Sequence, residues 1–239
     1  MASPYQLQQR MLARIRASLG YGAKRSAPPR LPPFVSQTLV TDREKLSAEF
    51  ESEIERVGGH VAHVHSRDEV TAYLQGLPAT GEESAVGISD GSLINELRIR
   101  EWLLTRKTRV VTWQQTTSME AYKRELLKCG IGVTCADYAL ADTGTVVLVS
   151  GREHHRLASL LPPVHVCLLP AERIFASLMS LLDHLNDAYS HERPPHALTC
   201  ITGPSRTADI EQTITTGVHG PKALHVLLYS IETIEISRV

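Results

Sequence analysis

The stretch from Leu198 to Tyr229 holds the side chains best suited to bind a small anion, and it reads LTCITGPSRTADIEQTITTGVHGPKALHVLLY. The hydroxyl of Ser205 and the guanidinium of Arg206 follow a sharp Gly-Pro turn, and such a pair could hold a carboxylate or a phosphate. The alternative is that Arg206 pairs with Asp209, which would neutralise both charges within the chain. The candidate substrate-binding residues of this stretch are Thr202, Gly203, Ser205 and Arg206.

His219 lies in the same stretch, between the turn residues of GVHGP. An imidazole titrates near neutral pH, so His219 could orient a substrate or act as a general base. Its alternative role is a hydrogen bond that stabilises the turn. Asp209 could assist proton movement beside it. His219 and Asp209 are therefore the catalytic candidates.

A second group of polar residues follows in GVTCADYALADTGTVVL, which runs from Gly132 to Leu148. Its two carboxylates, Asp137 and Asp142, lie between apolar runs, and burying an unpaired charge is costly. They could bind a ligand or a metal, act as base and acid, or cap turns. We expect them to form the wall opposite Arg206. The candidate binding residues here are Asp137, Asp142, Thr143 and Gly144.

A third candidate is the loop Ser89–Ser92, which follows an apolar run at Ala85–Ile88. Glycine and serine in such a loop can hold an anion, but they also begin ordinary helices. Asp90 would repel an anion, so the sequence leaves both interpretations open.

Metal and redox chemistry have little support in the sequence. The chain has 11 histidines, of which His63 and His65 alternate along an apolar run and His154 and His155 are adjacent. Neither pair has an obvious third ligand nearby in the sequence. The 4 cysteines lack C-x-x-C spacing, and no G-x-G-x-x-G motif follows a strand. We therefore expect no metal and no redox cofactor in this chain, with buried, reduced cysteines in a cytoplasmic protein.

The apolar patterns predict the elements that position these residues. A chain of 239 residues with 42% hydrophobic residues fits one large α/β domain, and short strands alternate with amphipathic helices. Near the C-terminus we expect a strand at Leu198–Thr202, a helix at Ala208–Thr213 and a parallel strand at Leu224–Tyr229. Ligands in parallel sheets gather at the carboxyl ends of strands, so we expect the Arg206 site there. A long helix is also expected over Ala171–Tyr189.

The N-terminal region differs in charge from the rest. Residues 1–33 read as an amphipathic basic arm with a Pro-rich linker, and residues 34–239 as the α/β domain. No acidic residue precedes Asp42, which leaves a mildly acidic body that does not suit nucleic-acid binding. The arm could dock on the body or a partner, lie on an anionic membrane or serve as a presequence. No apolar run approaches the ~20 residues that span a bilayer.

TGPSRTADIE followed by GVHGPKALHVLL resembles the C-terminal signature of the lactate utilisation protein C family, the LUD-domain proteins. GVTCADYALADTGTVVL resembles the family's other characteristic segment, and the resemblance covers roughly Thr41 to Tyr229. It implies a three-layer α/β/α fold with a largely parallel sheet, similar to the NagB/RpiA/CoA-transferase-like fold, with the N-terminal helical arm added.

The resemblance also implies a function. It suggests an accessory or substrate-handling subunit in the oxidation of L-lactate to pyruvate, with iron-sulfur clusters on partner subunits. This fits a chain without a cofactor motif, because side chains cannot accept an electron pair from lactate. One alternative is a stand-alone enzyme or binding protein for a sugar phosphate, CoA ester or nucleotide. Another is a structural or regulatory module.

Overall fold

The computed structural model describes residues 4–18, 42–77, 84–116, 118–150, 155–189, 197–208 and 214–230. The chain divides into two compact units, Met1–Gln37 and Thr38–Val239. In the first unit, α1 (Pro4–Ser18) is the helix that the apolar spacing of the arm predicts. Within the described ranges, no helix combines the length and the apolar character that crossing a membrane requires.

The second unit alternates helices and strands. Its helices are α2 (Arg43–Arg56), α3 (Arg67–Gly76), α4 (Ser92–Glu96), α5 (Ile99–Thr105), α6 (Met119–Leu126), α7 (His155–Ala158) and α8 (Leu178–Ala188). Its strands are β1 (His60–Val64), β2 (Ala85–Ile88), β3 (Arg109–Val111), β4 (Ile131–Cys135), β5 (Tyr138–Leu140), β6 (Thr145–Ser150), β7 (Val164–Pro170), β8 (Ile174–Phe175), β9 (Ala197–Ile201), β10 (Arg206–Ala208), β11 (Ile214–Thr216) and β12 (Ala223–Tyr229).

Six of these strands form a parallel sheet in the order β1-β12-β7-β4-β2-β3. Strands covered on both faces read as continuous apolar runs, and all four residues of β2 are buried accordingly. The α/β class with a largely parallel sheet is therefore confirmed.

Two apolar cores cover the two faces of this sheet. One face packs against α3, α4 and α5, through side chains such as Leu74, Ile94 and Leu103. The other face packs against α2, through Phe50 and Ile54, and against β6. Helices α6 and α7 extend this second layer at the β2–β3 side. The sheet is thus the middle layer of the expected sandwich.

A second, four-stranded sheet, in the order β8-β5-β6-β9, was not anticipated from the sequence. Val146 and Leu148 of β6 point towards the parallel sheet, whereas Val147 packs against Leu181 and Leu185 of α8. The long helix expected over Ala171–Tyr189 is wrong in its first third. That part forms a 3-10 turn at Ala171–Arg173 and strand β8, and α8 begins only after its N-cap Ser177.

The expected parallel pairing of the Leu198 and Leu224 strands is also wrong. β9 pairs antiparallel with β6 in the four-stranded sheet, whereas β12 lies in the parallel sheet between β1 and β7. A short apolar run does not reveal which sheet it joins, because both sheets bury such strands.

Candidate functional site

Two sequence-distant bends meet in the structure. The backbone N–H of Ser205 donates to the carbonyl of Pro221 at 2.9 Å, and the N–H of Gly217 donates to the carbonyl of Ser205 at 2.9 Å. Gly203 adopts a φ of +77°, which a residue with a side chain rarely tolerates, and a Cβ there would also contact Val57. The Gly-Pro-Ser-Arg and Val-His-Gly-Pro bends are therefore joined directly.

These bends enclose a cleft of about 510 Å³. Several of its lining residues lie in the chain just before a parallel strand begins: Val57 before β1, Ser159 before β7 and Pro221 before β12. We call it the amino-edge cleft, and its full lining is Val57, Ser159, Leu160, Thr199, Cys200, Ile201, Thr202, Gly203, Pro204, Ser205, Arg206, His219, Gly220 and Pro221.

The position of the cleft corrects the expectation that the site lies at the carboxyl ends of the strands. That rule applies to parallel sheets, and the Arg206 bend follows β9, which is antiparallel to its neighbour. The cleft therefore lies at the opposite, amino-terminal edge of the parallel sheet.

Arg206 carries the positive charge of the cleft. Its side chain is exposed, and its guanidinium lies against Gly58, where a Cβ would overlap it. His219 is also exposed in the lining. The cleft thus offers a guanidinium, an imidazole and several hydroxyl groups to a ligand, a set suited to an anion with a polar substituent.

The helix expected at Ala208–Thr213 is wrong at its start, because Arg206–Ala208 form strand β10, paired antiparallel with β11. Thr207 and the Ile-Thr-Thr of β11 are β-branched, which favours extended backbone. Within the described residues, Arg206 therefore begins a strand and not a helix. Asp209, the second catalytic candidate, lies outside the described residues.

A chain of threonine hydroxyls links the second predicted segment to the cleft. Thr143 Oγ1 donates to Asp142 Oδ1 at 3.1 Å and lies 2.8 Å from Thr145 Oγ1. Thr145 Oγ1 in turn lies 2.7 Å from Thr202 Oγ1, which lines the cleft. Gly144, with a φ of +58°, lets this turn approach the backbone of α2. Asp142, Thr143 and Gly144 therefore stand behind the cleft wall.

Asp137 does not form the expected wall opposite Arg206. It lines a different cavity of about 40 Å³, with Asp90, Gly91, Ser92, Cys135, Ala136 and Arg173, which lie at or after the carboxyl ends of β2, β4 and β7. We call this the carboxyl-edge pocket. Asp137 Oδ2 accepts a hydrogen bond from the N–H of Val149 at 2.7 Å, so its carboxylate closes the β5–β6 hairpin.

Sequence reasoning missed several residues in the cleft and directly behind it. Thr145 is 2% exposed and begins an apolar strand, and only its spacing of two from Thr143 hints that both hydroxyls share a side. Cys200 was expected to be buried but is exposed in the cleft, whereas Cys129 and Cys167 are buried as expected. Ser159 carried no sequence signal at all.

Three further histidines make contacts within the fold. Burial lowers the pKa of His165 to about 3, and its Nε2 lies 2.8 Å from Thr134 Oγ1. Burial, with His60 nearby, lowers the pKa of His225 to about 4. His63 contacts Glu51 at 3.0 Å. Across the described part of the chain, no three His, Cys, Asp or Glu side chains are grouped as a metal site.

Comparison with known families identifies the family of this chain. The model of the LUD domain matches residues 47–229, which contain both bends of the amino-edge cleft and the β5–β6 hairpin. The chain belongs to the LUD domain family. This confirms the family resemblance of the two motifs.

Several curated proteins are similar to this LUD domain. Lactate utilization protein C of Halalkalibacterium halodurans is 37% identical over 131 residues, covering 53% of this chain and 56% of that protein. Uncharacterized protein YkgG of Escherichia coli is 35% identical over 150 residues, covering 62% and 64%. Both alignments span less than two thirds of the relative. Lactate utilization protein C of Bacillus subtilis is 29% identical over 236 residues, covering 93% and 96%.

A solved structure shares the fold. The crystal structure of a DUF162 family protein from Deinococcus radiodurans superposes with a TM-score of 0.54 at 21% identity, covering 79% of this chain and 98% of that chain. At this identity the likeness supports the α/β architecture of the LUD domain and nothing more specific.

Proposed function

We propose that this chain is a substrate-handling subunit of a lactate utilisation system and holds a small carboxylate in the amino-edge cleft. The names of the relatives suggest the process, since two of them are called lactate utilization protein C. The observation that carries the proposal is the convergence of Arg206, Ser205 and His219 on one cleft.

Each of these three residues has a role in the proposal. Arg206 pairs with the substrate carboxylate, because a guanidinium forms charge-assisted hydrogen bonds with such an anion. Ser205 supplies a hydroxyl beside it. His219 exchanges a proton with the substrate through a ring nitrogen.

Electrons must leave the substrate by another route. Oxidation of L-lactate to pyruvate removes an electron pair, which the side chains of the cleft cannot accept. We propose that partner subunits carrying iron-sulfur clusters take these electrons and that the complex is cytoplasmic. The four cysteines are all free, which is usual in a reducing compartment.

Ligand titration tests the role of Arg206. We expect the full-length chain to bind L-lactate in isothermal titration calorimetry, and Arg206→Ala to raise the Kd about 10- to 100-fold through loss of the charged contact. The matched control is Arg173→Ala, which removes the guanidinium of the carboxyl-edge pocket. This variant should bind like the wild type. Equal losses in both variants, or none in Arg206→Ala, would contradict the proposal.

The size of the cleft favours a second candidate. About 510 Å³ is within the range of sites for whole metabolites, and lactate alone would fill only part of it. A phosphorylated ligand could also use Arg206 and Ser205. Titration of the same protein with ribose 5-phosphate and with coenzyme A distinguishes the candidates, because a lactate site should bind both much more weakly than L-lactate.

A further inference from the structure

The hydroxyl chain behind the amino-edge cleft has a buried centre and two accessible ends. Thr145 is 2% exposed, whereas Asp142 and Thr202 are exposed. Three contacts connect them, at 3.1 Å from Thr143 to Asp142, 2.8 Å from Thr143 to Thr145 and 2.7 Å from Thr145 to Thr202. All three are of ordinary hydrogen-bond length.

The count of protons fixes the direction of every bond in this chain. A threonine hydroxyl has one proton to donate, and a carboxylate has none. Thr143 donates its proton to Asp142, so Thr145 must donate to Thr143. Thr202 must then donate to Thr145. The hydroxyl of Thr202 therefore has no proton left for the cleft and presents only lone pairs to it.

We infer that Thr202 makes the cleft selective for an α-hydroxy acid over the corresponding α-keto acid. This inference rests on the proposed function and adds the feature of the ligand that the site reads. The hydroxyl of an α-hydroxy acid can donate to Thr202 Oγ1 while Arg206 holds the carboxylate. A keto oxygen is itself an acceptor, so it meets lone pairs and gains no hydrogen bond.

Titration of the full-length chain with L-lactate and with pyruvate measures this selectivity. We expect the wild type to bind L-lactate about tenfold more tightly than pyruvate, the effect of one hydrogen bond that only the hydroxy acid forms. Arg206→Ala should weaken both ligands, because both carry the carboxylate. The ratio of the two Kd values therefore reports on Thr202 separately from overall binding.

Thr143→Val tests the donor direction of these threonine hydrogen bonds without changing a residue that lines the cleft. Without Thr143 as acceptor, Thr145 can donate to Thr202, and Thr202 can then turn its own proton into the cleft. The preference for L-lactate should fall to about 1 or reverse in favour of pyruvate. Thr202→Val removes the group itself and should also bring the ratio to about 1. Thr105→Val is the control, because the Thr105 hydroxyl donates to the Trp102 carbonyl and Thr105 does not line the amino-edge cleft.

The outcomes separate this inference from the function on which it rests. If the wild type binds neither acid, both fail. If both acids bind through Arg206 but Thr143→Val and Thr202→Val keep the wild-type ratio, only the selectivity of Thr202 is wrong. A wild type that binds the two acids equally would also overturn it. Circular dichroism of each variant shows that a changed ratio is measured on folded protein.

Discussion

The two edges of the parallel sheet differ in what their polar side chains are free to do. At the amino edge, a cleft of about 510 Å³ presents the exposed side chains of Arg206 and His219. At the carboxyl edge, the pocket is about 40 Å³, and its groups bond to the fold. Asp137 accepts from the Val149 N–H, and Arg173 donates to the Asp137 carbonyl at 3.4 Å. Of these two cavities, the amino-edge cleft is therefore the one with the space and the exposed polar groups to bind a ligand.

Short connections explain why the carboxyl-edge pocket is small. Parallel sheets normally bind ligands at the carboxyl ends of strands, where loops build a crevice. Here β4 reaches β5 after only Ala136 and Asp137, and β7 reaches β8 through the turn Ala171–Arg173. Connections this short leave little space between them. The location of a site therefore depends on loop length as well as on strand direction.

The largest predicted effect is on stability and comes from Gly144→Ala, in the turn behind the amino-edge cleft. Gly144 has a φ of +58°, and a Cβ there would overlap the backbone of Glu53 and Ile54 in α2. We expect the free energy of unfolding to fall by about 2–4 kcal/mol, from backbone strain and overpacking together. Urea denaturation measures the change.

Gly76→Ala is the matched control for this prediction. Gly76 is the last residue of α3, and a Cβ there would have no atom within 4 Å. Alanine should leave the stability unchanged or raise it by up to about 1 kcal/mol. If Gly144→Ala is as harmless as this control, the turn does not depend on its close approach to α2.

The parallel sheet could be predicted from sequence because its central strands are largely buried on both faces. Apolar runs such as Val164–Leu169 and Leu224–Tyr229 differ from β7 and β12 by one residue at most at either end. The four-stranded sheet could not be predicted in this way. β8 has two residues and β5 has three, too few for an alternating pattern to appear, and the residues around β8 mimic the spacing of a helix.

The candidate site was predictable only in part. The bends around Ser205 and His219 stand out by their turn residues, and the structure brings them together. Thr145 and Thr202 are 57 positions apart, and only strand pairing places their hydroxyls in contact. The local sequence pattern also could not show that the Asp137 carboxylate bonds to the Val149 N–H within the β5–β6 hairpin. Long-range pairing thus decided which polar residues share a site.

Asp137→Ala tests the structural role of the carboxyl-edge pocket. Loss of the carboxylate removes the acceptor of the Val149 N–H, so the free energy of unfolding should fall by about 1–2 kcal/mol. The Kd for L-lactate should stay at the wild-type value, because Asp137 does not line the amino-edge cleft. Asp183→Ala, on an exposed position of α8, is the control and should change neither quantity. A higher Kd for L-lactate in Asp137→Ala, with normal stability, would place the site at the carboxyl edge.

The smallest expected effect is on the rate of cysteine labelling, since each edge of the sheet has a cysteine in its cavity. Cys200 lines the amino-edge cleft and is exposed, whereas Cys135 lines the carboxyl-edge pocket, where burial raises its pKa to about 11. A maleimide at neutral pH reacts with the thiolate, so Cys200 should be labelled first. Saturating L-lactate should slow this labelling a few-fold by covering the cleft, and Cys200→Ser should abolish the fast phase. Peptide mapping that instead finds Cys135 labelled first and protected by L-lactate would reverse the assignment of the two edges.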